Sequence, residues 1–153
     1  MSLLSPPAWL PLAALLLIIA VSALRVLGVE RAHGVKAFSF GRHAAIQSVA
    51  ERNWKIAVVL ALAFAALSWL APAWENILGR PSWADIPSLK WSAATIFAGS
   101  ILIIALAQIQ MGASWRIGVP TEGPGPLVAR GLFRWSRNPI FVGMIGAVFA
   151  LFL

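Results

Sequence analysis

"WSAATIFAGSILIIALAQIQM", Trp91 to Met111, contains no charged side chain from end to end. A hydrocarbon core about 30 Å thick takes roughly 20 mostly apolar helical residues to cross, so this stretch alone reads as a membrane span. Two others share its character: Trp9 to Leu27, with only Arg25 near its end, and Ile56 to Ala73. A fourth, Ile140 to Leu153, is wholly apolar, but its fourteen residues rise only about 21 Å as a helix. The composition points the same way. Of 153 residues, 60% are hydrophobic and 11% charged, against roughly 25% charged in soluble domains. The expected architecture is one all-α integral membrane domain over 1–153, with helices near 9–27, 56–73, 91–111 and 140–153, the last incomplete.

The net charge of +7 invites a nucleic-acid reading, but the basic residues follow a membrane pattern instead. Arg25, Arg31, Lys36, Arg42, Arg52 and Lys55 lie at or after the end of the first span, Arg80 and Lys90 after the second, and Arg116, Arg130, Arg134 and Arg137 after the third. Basic loops stay cytoplasmic, so 28–55 and 112–139 are expected inside, with the N-terminus outside. The N-terminal segment lacks a basic n-region and is too long for a signal h-region, so it is expected to be retained as a span. Trp9, Trp69, Trp74, Trp83, Trp91 and Trp115 fall near span ends and are expected to anchor at the headgroup level. Ala45, Ile46, Val49 and Trp54 recur at near-helical spacing, which suggests a short surface helix leading into the second span.

Several chemistries are disfavoured. There are no cysteines, so disulfides, thiolate metal sites and a cysteine nucleophile are excluded. No ionisable side chain falls mid-span, which argues against proton-coupled transport. His33 and His43 both lie in the first loop and are expected to be solvated, and no metal site is expected. "EGPGPL", Glu122 to Leu127, lacks the strand and helix that a nucleotide-binding glycine loop requires, and reads as a turn.

"GLFRWSRNPIFVGM", Gly131 to Met144, carries more. Asn138 is a good N-cap and Pro139 suits the first helical position, so the fourth helix is expected to begin there. Its free N–H groups, with Arg134 and Arg137 alongside, could receive an anion. Pro139, Gly143, Gly146 and Ala150 share one helical face, small enough for another helix or a ligand to approach closely. Packing and lipid-phosphate anchoring would explain the same residues. Upstream, Arg116 could clamp a phosphate or carboxylate, or snorkel to headgroups.

"QMGASWRIGVP", from Gln110, followed by "LVARGLFRWSRNPIFVGM", from Leu127, resembles bacterial members of the isoprenylcysteine carboxyl methyltransferase and phospholipid methyltransferase superfamily. The family pattern, approximately LVTxGxYRxxRHPxYxG, is matched by Leu127, Val128, Gly131, Phe133, Arg134, Arg137, Pro139, Phe141 and Gly143 over about a quarter of the chain. The resemblance implies a helical membrane enzyme that binds S-adenosylmethionine at the cytoplasmic face of, in bacteria, the inner membrane, and methylates a lipid-like or prenylcysteine-type acceptor. By position, Arg137, Asn138, Pro139, Phe141 and Gly143 would help form the cofactor pocket, Leu127, Val128 and Gly131 would supply backbone contacts, and Phe133, Trp135 or Phe141 would face the sulfonium. Arg116 and Arg134 would bind the acceptor. Asn138 stands where the family more often has histidine, and it cannot titrate near neutrality; Phe141 stands in place of tyrosine. Family members continue with a further membrane segment and a C-terminal region that completes the pocket, so weak or absent catalysis is expected of these 153 residues alone. Two alternatives compete: a nicotinamide-dependent membrane reductase of the related sterol reductase type, and a noncatalytic membrane assembly protein whose fourth helix packs on a partner through Gly143 and Gly146.

Overall fold

Four long helices and one short one account for most of the fold in the computed structural model, which describes residues 5–34, 36–38, 45–77, 79, 81–117 and 127–153, the side chains of 45–47 and 75–76 excepted. They are α1 (Leu10–His33), α2 (Ala45–Leu70), the short α3 (Ala73–Ile77), α4 (Pro87–Met111) and α5 (Pro139–Phe152). Single 3-10 turns occupy Ser82–Asp85, Gly112–Ser114 and Gly131–Arg134. The all-helical expectation holds. Leu10–His33, Ser48–Leu70 and Pro87–Ser114 are long and apolar enough to cross a membrane, and α5 is a shorter apolar helix.

Local chemistry sets most of the ends. α1 stops at Gly34, whose left-handed φ of 64° lets its N–H bond the Glu30 carbonyl, the usual glycine solution to a helix C-terminus. α2 ends at Leu70, two residues before Pro72, because proline disfavours helical backbone at the residue before it. Proline opens both α4 and α5, where its missing N–H costs nothing. Where a surface helix and a separate second span were expected, there is one uninterrupted helix, α2. No proline or glycine interrupts Ala45–Leu70, so nothing stops the amphipathic turns from continuing into the apolar ones.

Packing centres on α4, which contacts α5 most extensively and α1 next. Ala14 of α1 packs beside Phe97, and Ser22 meets Gln108, so α1 and α4 run parallel. Gly146 lies against Ser100 and Ile96, and Gly143 against Ile104 and Ser100, so α5 runs antiparallel to α4. The C-terminal ends of α1 and α4 therefore share one end of the bundle with the N-terminal end of α5. That is the alternation expected of successive spans.

Small residues make the α4–α5 contact possible. A Cβ added at Gly143 would sit 2.7 Å from Ile104 Cγ1 and 3.0 Å from the Ser100 carbonyl oxygen, and one at Gly146 would sit 2.6 Å from Ser100 Oγ. Pro139, Gly143, Ala147 and Ala150 are all buried. Without a hydrophobic drive between helices in lipid, such close backbone approach is what gains dispersion energy. The Gly143 and Gly146 face, expected to suit a partner helix, is thus occupied by the chain's own α4.

Candidate functional site

At the shared helix end, backbone and side chains from distant parts of the chain are tied together. The Arg25 guanidinium donates from Nε to the Gln108 carbonyl at 3.2 Å and from a terminal nitrogen to the Gly112 carbonyl at 3.1 Å. The Gln108 carbonyl is one of the last four of α4, which have no partner within the helix, and the Gly112 carbonyl just beyond also accepts the Trp115 N–H at 3.2 Å. A cation there also meets the negative end of the helix dipole. One turn earlier, Gln108 Nε2 donates to Ser22 Oγ at 2.8 Å, and Gln108 is 1% exposed.

The loops at this end dock onto the same frame. Glu30 Oε1 accepts the Ala37 N–H at 3.0 Å. The Ile117 N–H donates to the Ala37 carbonyl at 2.7 Å, and Phe38 and Ile117 form a parallel bridge. Trp115 is covered by protein, unlike an exposed anchor: it is 7% exposed and packs with Val29 and Ala37, with Met111 and Ile140 alongside. The bridge pulls 115–117 under the end of α1, which is why the indole is covered. Trp9, Trp69, Trp83 and Trp91 are exposed, as interfacial anchors should be, while Trp74 is half-buried, edge-on to Phe64.

The stretch from Arg130 to Asn138 is fixed at both ends. Gly131 has φ 59°, and a Cβ there would overlap the Gln110 carboxamide; the neighbouring Leu132 N–H donates to Gln110 Oε1 at 2.8 Å. Glycine is required on both counts, since L residues rarely adopt that backbone. At the other end, Asn138 Oδ1 accepts the Phe141 N–H at 3.3 Å, and Pro139 follows as the first helical residue. The expected cap is present. Asn138→Ala is expected to lower stability by about 1 kcal/mol, measured by thermal unfolding of the detergent-solubilised chain followed through far-UV circular dichroism.

Between these segments lies an open groove of about 510 Å³ lined by Gln110, Met111, Gly112, Ala113, Ser114, Leu127, Val128, Ala129 and Arg130. It brings together the two halves of the sequence motif, from Gln110 and from Leu127. Leu127 is 93% exposed and Val128 half-buried. Of the other candidate residues, Gly131 adjoins the groove, Phe133 is half-buried, and Arg134, Arg137, Asn138 and Phe141 are exposed beyond its lining. Pro139 and Gly143 are buried, Gly143 within the α4–α5 contact. Arg116 is half-buried; its Nε is enclosed and without a hydrogen-bond partner among the described residues. His33 ends α1 and is exposed. His43, Arg42, Arg80 and residues 122–126 of the Pro-Gly turn lie outside the described residues.

Sequence reasoning missed Ser22, Arg25, Gln108 and Gln110 as organisers of this end. An arginine near the end of one apolar stretch and two glutamines at the end of another were the available signals, but neither names its partner. Compared with protein families, with curated proteins and with solved structures, the chain matches none.

Proposed function

We propose that the chain is a membrane-bound S-adenosylmethionine-dependent methyltransferase for a lipid-like acceptor, with its cofactor at the groove beside Gly131. One observation carries the reading: 110–114 and 127–130, each part of the resembling motif, line one open groove. The bundle end that holds it bears Arg31, Lys36, Arg52, Arg116, Arg130, Arg134 and Arg137, and the positive-inside tendency makes that end cytoplasmic. A water-soluble cofactor and a membrane-embedded acceptor meet only at such a level.

In this reading Leu127, Val128 and Gly131 contact the cofactor. Gln110 holds the 131–132 backbone in place, and Asn138 and Pro139 set where α5 begins. Transfer of a sulfonium methyl to a carboxylate or amine needs the nucleophile, the methyl carbon and the sulfur in line, with water kept out. When bound, S-adenosylmethionine supplies the electrophilic methyl group. The half-buried guanidinium of Arg116, whose Nε has no hydrogen-bond partner among the described residues, suits the acceptor's anionic group.

Isothermal titration of the purified full chain in nanodiscs with S-adenosylmethionine, S-adenosylhomocysteine and a reduced nicotinamide tests this. Saturable binding of the first two, but not the third, is expected. Ala129→Trp, which fills the groove from an exposed position, should weaken that binding roughly tenfold or more, about 1.4 kcal/mol, while leaving helix content unchanged. Binding of the nicotinamide alone would transfer the reading to a reductase. Binding of none, or binding that Ala129→Trp leaves untouched, would remove the groove as a cofactor site.

A further inference from the structure

Beside the groove, outside its lining, stands a second surface. Trp135 is 91% exposed, and Arg134 and Arg137 on either side of it are exposed too. Neither arginine has a hydrogen bond or ion pair among the described residues, whereas Lys90 on the far side of the bundle is paired with Asp85 at 3.3 Å. From Leu127 to Leu153 the sequence holds no aspartate or glutamate. An exposed indole is costly in water, and exposed arginines with no ion-pair partner among the described residues attract an external anion.

Position identifies the anion. α5 starts immediately after this segment, and its outward side chains, Phe141, Val142, Ile145 and Val148, are exposed apolar groups that suit acyl chains. Arg134, Trp135 and Arg137 therefore fall at the boundary where hydrocarbon gives way to headgroups. An indole settles at that level, and guanidinium groups bind phosphate there through paired hydrogen bonds. The segment is also pre-positioned, pinned to α4 by the Leu132–Gln110 bond and to α5 by the Asn138 cap, so little conformational freedom is lost on binding.

We infer that Arg134, Trp135 and Arg137 form a binding surface for an anionic phospholipid, with the two guanidinium groups on the headgroup phosphate and the indole at the acyl boundary. The surface places the neighbouring groove at headgroup depth, but lipid selection requires neither a cofactor nor methyl transfer.

The test uses the full chain in nanodiscs containing brominated phosphatidylglycerol or brominated phosphatidylcholine at equal mole fraction. The Trp135 signal is the difference in fluorescence between the unsubstituted chain and Trp135→Phe. Stronger quenching of that signal by the brominated phosphatidylglycerol is expected. One arginine near an anionic surface contributes about fivefold in affinity, so Arg134→Gln with Arg137→Gln should cut the preference by roughly 30-fold, and each single variant by about fivefold. Equal quenching by both lipids, or a preference that survives in the double variant, would overturn the assignment. So would loss of the preference on adding millimolar inorganic phosphate, which would show an ion site and not a lipid site. Because the readout is lipid selection and not cofactor heat, loss of either proposal leaves the other standing.

Discussion

Gly143→Val is expected to have the largest effect on this fold, separating α5 from α4 at a cost of about 3 kcal/mol, the upper part of the range for overpacking. The Cβ alone would approach Ile104 Cγ1 to 2.7 Å and the Ser100 carbonyl oxygen to 3.0 Å, and valine adds two methyl groups beyond it. Ile104 is 2% exposed and has nowhere to retreat, while a backbone carbonyl in α4 moves only with its helix. Gly146→Ala should cost less, since its nearest neighbour is the Ser100 hydroxyl, which can rotate away. Thermal unfolding in detergent, followed by tryptophan fluorescence, would rank the two variants. Ile104→Ala in the Gly143→Val background should recover part of the loss, because it removes one of the two collisions. A Gly143→Val variant that melted like the unsubstituted chain would show that α5 does not seat backbone-close on α4 at Gly143.

Arg25→Leu is expected to come next. It deletes two hydrogen bonds to the Gln108 and Gly112 carbonyls, and bonds from a charged donor contribute about 1.5–3 kcal/mol each. Leucine keeps α1 apolar, so the loss isolates the polar term. A net destabilisation of about 2 kcal/mol is expected, less than the sum because removing the guanidinium leaves room for water at both carbonyls. Arg25→Lys should fall between, since a point charge still suits a helix C-terminus but cannot span two carbonyls with a planar fork. Hydrogen exchange adds a local readout. Amides in the last turn of α4 and in 112–117 should lose protection in Arg25→Leu, while those near the middle of α4 keep theirs. Uniform loss along α4 would mean that Arg25 acts on the whole helix and not on its end.

Both predictions concern contacts that the chain's linear pattern only hinted at. The small face of α5 was legible from Gly143, Gly146 and Ala150, because helical periodicity alone puts them together. Its partner was not: the same face fits α4, another span or another protein equally well by size. Arg25 read as one of several charges that orient a membrane protein, and its bonding to α4 depends on α1 and α4 running side by side in parallel. Trp115 followed the rule for tryptophans near span ends until the Phe38–Ile117 bridge drew it beneath α1.

The candidate site divides in the same manner. Asn138 and Pro139 declared the start of α5 because capping is a property of a few adjacent residues. The groove lies between 110–114 and 127–130, and neither segment encloses a volume by itself.

What the sequence determined unaided was everything local: which stretches are apolar enough to cross a bilayer, where prolines and glycines begin and end helices, and which loops carry the positive charge. Hydropathy, capping and backbone freedom act within a few residues and need no knowledge of neighbours in space. Tertiary structure alone decided that α5 seats on α4, that Arg25 closes the end of α4, and that Gln110 holds the backbone at Gly131 and Leu132 beside a groove. Each of those depends on bringing together atoms from residues far apart in the chain, where one apolar helix resembles another until packing distinguishes them.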